Sequence, residues 1–332
     1  MAGEDRFVRR LLEELPASRR VVLGPGDDAA VVAVETGLWV VTTDMVVEAI
    51  DFLPGDTPEA VGRRAMAVNL SDLAAMGARP EFFLLSIAFP ARRGEDFPLS
   101  VARGALSRAT PVGAALVGGD LSDAQSVVVS IALWGRPEGE PTRRAGARAG
   151  DLLFLSGAPG RAAAGLVLAR AQAQGVSYGG ELNPEARAEL LAAYRDPEPR
   201  LALGLALARQ GQATAAIDIS DGVGIDSGRL ARASGLRAVI EEPRLPISPA
   251  LAAFARFEGR DPLELLLAGG DDYELLFAVA PERAAEIPPR GPGGVPLSRI
   301  GHLEPGEGAF LRSATGDRDI SGLGHDHLSC AP

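Results

Sequence analysis

With 332 residues, 46% of them hydrophobic, the chain is long enough for two compact domains that each bury a core without a metal or disulfide staple. A formal net charge of -11 argues against binding a nucleic-acid backbone, which needs a basic footprint. No run approaches the ~18 apolar residues of a membrane span and the opening MAGEDRFVRR lacks the apolar core of a signal peptide, so a cytoplasmic protein with no membrane partner is expected.

In chain order, residues 29–34 and 38–43 are β-rich runs parted by Glu35-Thr36-Gly37, which predicts a hairpin. Thr57 before Pro58 and Glu59 is a helix start and Gly77 a stop, giving a helix over 58–76. Strands follow at 82–88, 114–117 and 127–134, with a helix over 97–109 inside that set, so the first half reads as a hairpin plus a βαβ unit. Residues 136–150 are rich in Pro, Gly and Arg without apolar period and mark a junction, with the boundary between 143 and 144. The second half restarts with a strand at 152–156 and an Ala-rich helix over 161–174. Strands at 215–219, 237–240 and 273–279 then alternate with helices over 222–234 and 261–267. The fold class is α+β, and strand order is not legible.

Aspartates recur where these strands meet turns: Gly26-Asp27-Asp28, Thr42-Thr43-Asp44, Gly118-Gly119-Asp120 and Asp218-Ile219-Ser220-Asp221-Gly222. Any one of them alone is an ordinary turn. Asp72 is less ordinary, because it sits with Asn69 inside the apolar helix segment VNLSDLAAMGA. A carboxylate there is costly to desolvate unless paired or bound to a cation, and these segments hold few basic residues. Magnesium takes oxygen ligands and is commonly held by one or two carboxylates together with substrate phosphates. Aspartates from several strand ends, converging in space, would hold magnesium ions bridging a nucleotide's phosphates. Glycines before Asp120 let backbone amides approach a phosphate. Every basic residue is an arginine, so no phosphate-loop lysine is available and arginine with metal must serve instead. The single cysteine, Cys330, excludes an intrachain disulfide and a cysteine-based zinc site.

Seven segments together resemble the thiamine-monophosphate kinase family of the aminoimidazole ribonucleotide synthetase-like superfamily. They are GPGDDAAVV (24–32), VTTDMVVE (41–48), AVNLSDLAAMGARP (67–80), VGGD (117–120), RRAGARAGDLLFLSG (143–157), IDISDG (217–222) and GGDDYELLF (269–277), in the family's order along nearly the whole chain. The resemblance implies a two-domain fold, 1–143 binding ATP and magnesium and forming a barrel shared across a homodimer, and 144–332 completing the active site. It implies Mg2+ as cofactor, ATP as co-substrate and thiamine monophosphate as acceptor, phosphorylated in line. Carried over by position, the metal ligands would be Asp28, Thr42, Thr43, Asp44, Asp72, Asp120, Asp218 and Asp221, with Asp221 catalytic. Gly119, Asp120, Arg144 and Ser220 would contact ATP, and Asp51, Asp271 and His325 would face the acceptor.

The chain departs from the family pattern on the acceptor side. Asp51 stands in EAIDF where a His is usual, Asp271 in place of a Glu, His325 in place of an aromatic, and Ala102 in place of a Tyr. Two other readings therefore stand beside the kinase: another ATP-dependent enzyme of the superfamily with a different acceptor, and an inactive nucleotide or metal sensor. Selenophosphate synthetase needs a reactive cysteine near its N-terminus, which is missing here. The hydrogenase-maturation dehydratase ends on its cysteine, whereas Ala331 and Pro332 follow Cys330.

Overall fold

In the computed structural model, residues 21–23, 27–35, 37–176 and 182–326 are described; Gly26, Thr36 and Cys330 lie outside them. Two sheets divide the chain. The first holds β1 (Val21–Leu23), β2 (Ala30–Val34), β3 (Gly37–Val47), β4 (Ala78–Phe89), β5 (Ala115–Asp123) and β6 (Val128–Pro137) in the order β1-β2-β3-β6-β4-β5. The predicted hairpin is β2 with β3, and the βαβ unit is β4 and β5, which pair in parallel across α2 (Asp96–Ala109). Strand β6 inserts antiparallel between β3 and β4. Both β3 and β5 run longer than their sequence signals, because Asp44 and the Gly118-Gly119 pair continue the ladder where a turn is expected.

Helix α1 (Pro58–Ala75) forms as the sequence dictates. The Thr57 side chain accepts from the Ala60 amide at 3.3 Å, Pro58 supplies the fixed φ of the first turn, and Gly77 at φ +63° ends it. Fourteen of its eighteen residues are buried, which is why its apolar pattern has no single face. It is enclosed on both sides. Its Leu70 and Leu73 share one core with Val31, Val129 and Ile131 of the first sheet and with Leu275 and Phe277 of the second.

The second sheet has the order β13-β12-β9-β11-β7-β10-β8, built from β7 (Leu152–Ser156), β8 (Ala215–Ile219), β9 (Leu236–Glu241), β10 (Glu274–Val279), β11 (Leu297–Pro305), β12 (Gly308–Ser313) and β13 (Gly316–Asp319). Strand β10 is buried on both faces and so reads as one apolar run: Leu275, Phe277 and Val279 face α1, while Leu276 and Ala278 face a second core under helices. Those helices include α3 (Arg161–Ala173), α6 (Val223–Ala233), α7 (Pro249–Glu258) and α8 (Pro262–Ala268). Two others, α4 (Pro184–Arg195) and α5 (Leu201–Gln210), fall in the stretch between 174 and 215 to which the periodicity assigns nothing. Helix α4 carries a start signal all the same: Asn183 accepts from the Glu185 amide at 2.8 Å before Pro184, and Ser248 likewise caps α7 from the Leu251 amide at 3.0 Å.

Helix α5 packs against α1 through glycine. A Cβ on Gly204 would stand 1.9 Å from the Ala74 carbonyl oxygen, so the two backbones touch with no room for a side chain.

Candidate active site

A cavity of about 920 Å3 is walled by β3, α1, α3, the β8–α6 turn, α6 and the 268–273 turn. Of the residues singled out from the sequence, all but Gly119 and Asp120 line it: Asp28, Thr42, Thr43, Asp44, Asp51, Asp72, Arg144, Asp218, Ser220, Asp221, Asp271 and His325. Gly119 and Asp120 lie on the edge strand β5, every residue of which is exposed. A Cβ at Gly119 would meet the Leu85 carbonyl oxygen at 1.8 Å, so contact with β4 alone requires glycine there.

The centre of the cavity is acidic. Asp28 precedes β2, Asp72 projects from α1 and Asp218 from β8, and each offers a carboxylate oxygen within 4.8 Å of the others. Neighbours hold these groups in place. Thr42 Oγ1 donates to Asp72 Oδ2 at 2.5 Å, and Ser71 Oγ donates to Asp218 Oδ2 at 2.6 Å. The buried Asn69 accepts from the Asp44 amide at 3.0 Å while its own amide donates to the Ala65 carbonyl, locking β3 to α1. Burial first, then the charges of Asp44, Asp218 and Asp28, push the Asp72 carboxyl well above its ordinary range. Burial and the Asp28 charge do the same to Asp218. Asp27 rises to about 6 through burial and Asp28, against the opposing pull of Arg144.

Arg144 balances part of this charge. Its Nη2 and Nε donate to Asp28 Oδ1 and Oδ2 at 2.8 and 3.2 Å, and its backbone amide donates to Asp27 at 3.0 Å. Burial works against that guanidinium's charge, but Asp28 outweighs it and raises the pKa. Arg144 is outnumbered by the Asp28, Asp72 and Asp218 carboxylates it faces, and Arg170, Arg229 and Arg232 line other parts of the cavity. An all-oxygen donor set of three carboxylates, held by hydroxyl donors and in excess of its counter-charge, fits magnesium.

On the next wall, Ser220 and Asp221 occupy the turn into α6. Buried Asp226 shapes that turn by accepting from the Asp221 and Gly222 amides at 3.0 and 3.2 Å, and Arg229 donates to Asp226 Oδ1 at 2.9 Å and to Asp221. Burial, with Asp221 close by, pushes Asp226 up to about 7.

The third wall carries the residues that depart from the family pattern. Asp51 Oδ2 accepts from the Val47 amide at 2.7 Å. Asp271, at φ +66°, accepts from Tyr273 Oη at 2.7 Å and from Arg64 Nη1 at 3.0 Å. His325 is exposed, and its amide donates to the Asp221 carbonyl at 2.9 Å.

Sequence reasoning passed over Arg64, Ser71, Tyr273, Asp226 and Arg229. The argument that found Asp72, a polar group on an apolar helix, applies equally to Arg64 and Ser71: seven residues apart, they lie within about 20° of each other around α1. Asp226 and Arg229 sit on a helix face that reads as ordinary solvated charge, and only the fold turns them toward the cavity.

Comparison with known proteins follows the same lines. Residues 26–136 match the AIR synthase related protein, N-terminal domain, and residues 148–312 the AIR synthase related protein, C-terminal domain. The thiamine-monophosphate kinase of Rhodopirellula baltica is 35% identical over 319 residues, covering 93% of this chain and 91% of that protein. The crystal structure of thiamine monophosphate kinase from Aquifex aeolicus superposes with a TM-score of 0.78 at 29% identity, covering 96% of this chain and 97% of that one. A structure of AaThiL complexed with AMPPCP and TMP gives a TM-score of 0.83 at 30% identity over 98% of this chain and 96% of that one.

Proposed function

The chain belongs to the thiamine-monophosphate kinase family, and from that membership and the chemistry of the cavity we propose that it phosphorylates thiamine monophosphate to thiamine diphosphate with Mg-ATP. The observation that carries this reading is the Asp28, Asp72 and Asp218 cluster, which joins both halves of the chain at one point of the cavity. Incubation with Mg-ATP and thiamine monophosphate, with thiamine diphosphate detected by chromatography, tests it. Failure to convert that acceptor while another phosphorylated acceptor is used would leave the superfamily and remove the specific activity.

The acceptor phosphate is already anionic, so no side-chain nucleophile is required and catalysis reduces to positioning and charge neutralisation between two anions. Asp28, Thr42, Thr43, Asp44, Asp72, Asp218 and Asp221 would hold several magnesium ions, which when bound neutralise the phosphates. Asp221, next to the acceptor wall, is the catalytic residue of this reading, and Ser220 orients the nucleotide beside it. Asp51, Asp271 and His325 take the thiamine side. Arg144, its guanidinium oriented by Asp28, brings a positive charge to the ATP phosphates. Arg144→Ala is expected to weaken ATP binding about ten-fold or more in calorimetry, as loss of a charge-assisted pair does; unchanged ATP affinity would remove Arg144 from the nucleotide site.

Gly119 and Asp120 fit this scheme through a homodimer with a shared barrel, with the domain boundary at 143/144 and a cytoplasmic location. In support, Val117 and Leu121 on β5 are 60% and 61% exposed, and the same sheet carries the half-buried row Trp39, Phe82 and Trp134, with ring centroids 5.2 and 5.5 Å apart. An apolar surface of this kind calls for a partner. Val117→Asp is expected to turn the dimer into a monomer in light scattering and to depress activity with it; a monomeric native protein would end the dimer reading.

A further inference from the structure

One buried cation connects the two acidic residues on the acceptor side. Arg64 is 2% exposed, in the middle of α1, and is used by neither the metal cluster nor the nucleotide wall. Its Nη1 donates to Asp271 Oδ2 at 3.0 Å, its Nη2 donates to the Tyr194 carbonyl, and its guanidinium lies 4.7 Å above the Tyr194 ring. Tyr194 is itself 1% exposed, and its hydroxyl donates to Asp56 Oδ2 at 3.0 Å and accepts from the Leu53 amide at 3.2 Å. Asp56 and Leu53 belong to the 48–56 turn that presents Ile50 and Asp51 to the cavity. That turn and the Asp271 turn both hold non-glycine residues in left-handed backbone: Ala49 at φ +68°, Asp271 at φ +66° and Tyr273 at φ +51°. Such conformations persist only where surrounding contacts impose them.

We propose that Arg64 is a positioning residue for the acceptor. One guanidinium fixes the Asp271 carboxylate directly and, through the stacked Tyr194 and its hydroxyl, fixes the turn carrying Asp51, so the two walls of the acceptor subsite keep a set separation. The planar fork matters. It makes two divergent hydrogen bonds while stacking on a ring, which a lysine ammonium on a flexible stem does not reproduce. The proposal deepens the kinase reading and rests on it for the identity of the acceptor.

Arg64→Lys keeps the charge in a buried site, and Tyr194→Phe keeps the ring while removing only the tie to Asp56 and Leu53; both are expected to fold. For each, KM for thiamine monophosphate is expected to rise about ten-fold with KM for ATP changing less than about two-fold, because the lost interaction serves one substrate only. Asp271→Asn, which keeps one oxygen to accept from Arg64 or from Tyr273 but not from both in the native arrangement, is expected to act less on the 48–56 turn than Arg64→Lys does. Hydrogen exchange supplies an arm independent of the acceptor. Arg64→Lys is expected to speed exchange in both 48–56 and 269–273, whereas Tyr194→Phe speeds it in 48–56 alone. Equal losses for ATP and acceptor, or a change in Arg64→Lys confined to one of the two segments, overturn the proposal. If the native protein converts no thiamine monophosphate, the kinase reading fails, and the exchange arm still decides whether Arg64 couples the two walls.

Discussion

Asp72→Asn is expected to reduce turnover by about a thousand-fold or more while making the metal-free protein more stable. The loss follows from removing one full charge from the oxygen donors at the centre of the cavity, on the scale seen when groups that stabilise transition-state charge are deleted. The gain follows from the same electrostatics. Asp72 is held well above its ordinary pKa by burial and by Asp44, Asp218 and Asp28. A carboxyl whose folded pKa is raised adds stability that is complete below its unfolded value near 3.8 and is lost as pH climbs through the folded value. At neutral pH and without magnesium, the carboxyl at position 72 therefore opposes folding, and the amide, nearly the same shape and still able to accept from Thr42 Oγ1, does not. In EDTA, Tm of the variant is expected to exceed that of the native protein by roughly 3–8 °C at pH 8, with a smaller gap at pH 5. Added magnesium is expected to reverse the order, because it stabilises only the chain that binds it well. A variant that is both inactive and less stable in EDTA would place Asp72 in the packing rather than in the metal site.

The second large effect lies far from the chemistry. Gly204→Ala gains up to ~1 kcal/mol of helix propensity on α5. The added methyl, however, would stand 1.9 Å from the Ala74 carbonyl oxygen, a backbone atom that cannot rotate away. The helices must part by more than an ångström, and overpacking of this kind costs about 1–3 kcal/mol, so the clash wins. Ala74 is two residues from Asp72, so the displacement enters the carboxylate cluster directly. A shift of about 1 Å at a reacting centre lowers rates by ~100-fold. Expected, then, is a folded protein with Tm a few degrees lower and kcat down by about two orders of magnitude; activity within a factor of about two of the native enzyme would show that α5 is not what sets the position of α1.

The acidic site was legible in the sequence because its logic is local. Aspartates at strand ends and a carboxylate on an apolar helix are visible without a fold, and α1 announced both its cap and its stop. What stayed hidden depends on who faces whom. Arg229 pairs with Asp226 one turn away on α6, yet only the packing of that helix on the second sheet aims the pair at Asp221. Helix α5 is short and lacks a side-chain cap at Arg200, so its sequence offers no start signal. Strand β11 changes register before Gly301 and ends on Pro305, and β13 is exposed throughout, which leaves little apolar alternation to read. The placement of Asp120 on an edge strand follows from β6 inserting between β3 and β4, a long-range pairing that no motif encodes.

The enclosure of α1 between the sheets bears on how the chain acquires its structure. Leu70 and Leu73 need the first sheet and β10 together before their surfaces are dry, and Leu203 and Leu207 of α5 complete the same core. The first half's core is thus completed by the second half, which also holds a separate core of its own around Leu153, Leu230 and Phe254. A nascent first half would leave the ribosome with the far side of α1 bare, open to chaperones and to premature self-association until the second half has been synthesised. Asp72 and Asp218 come from different halves, so the acidic cluster exists only once the two halves have packed.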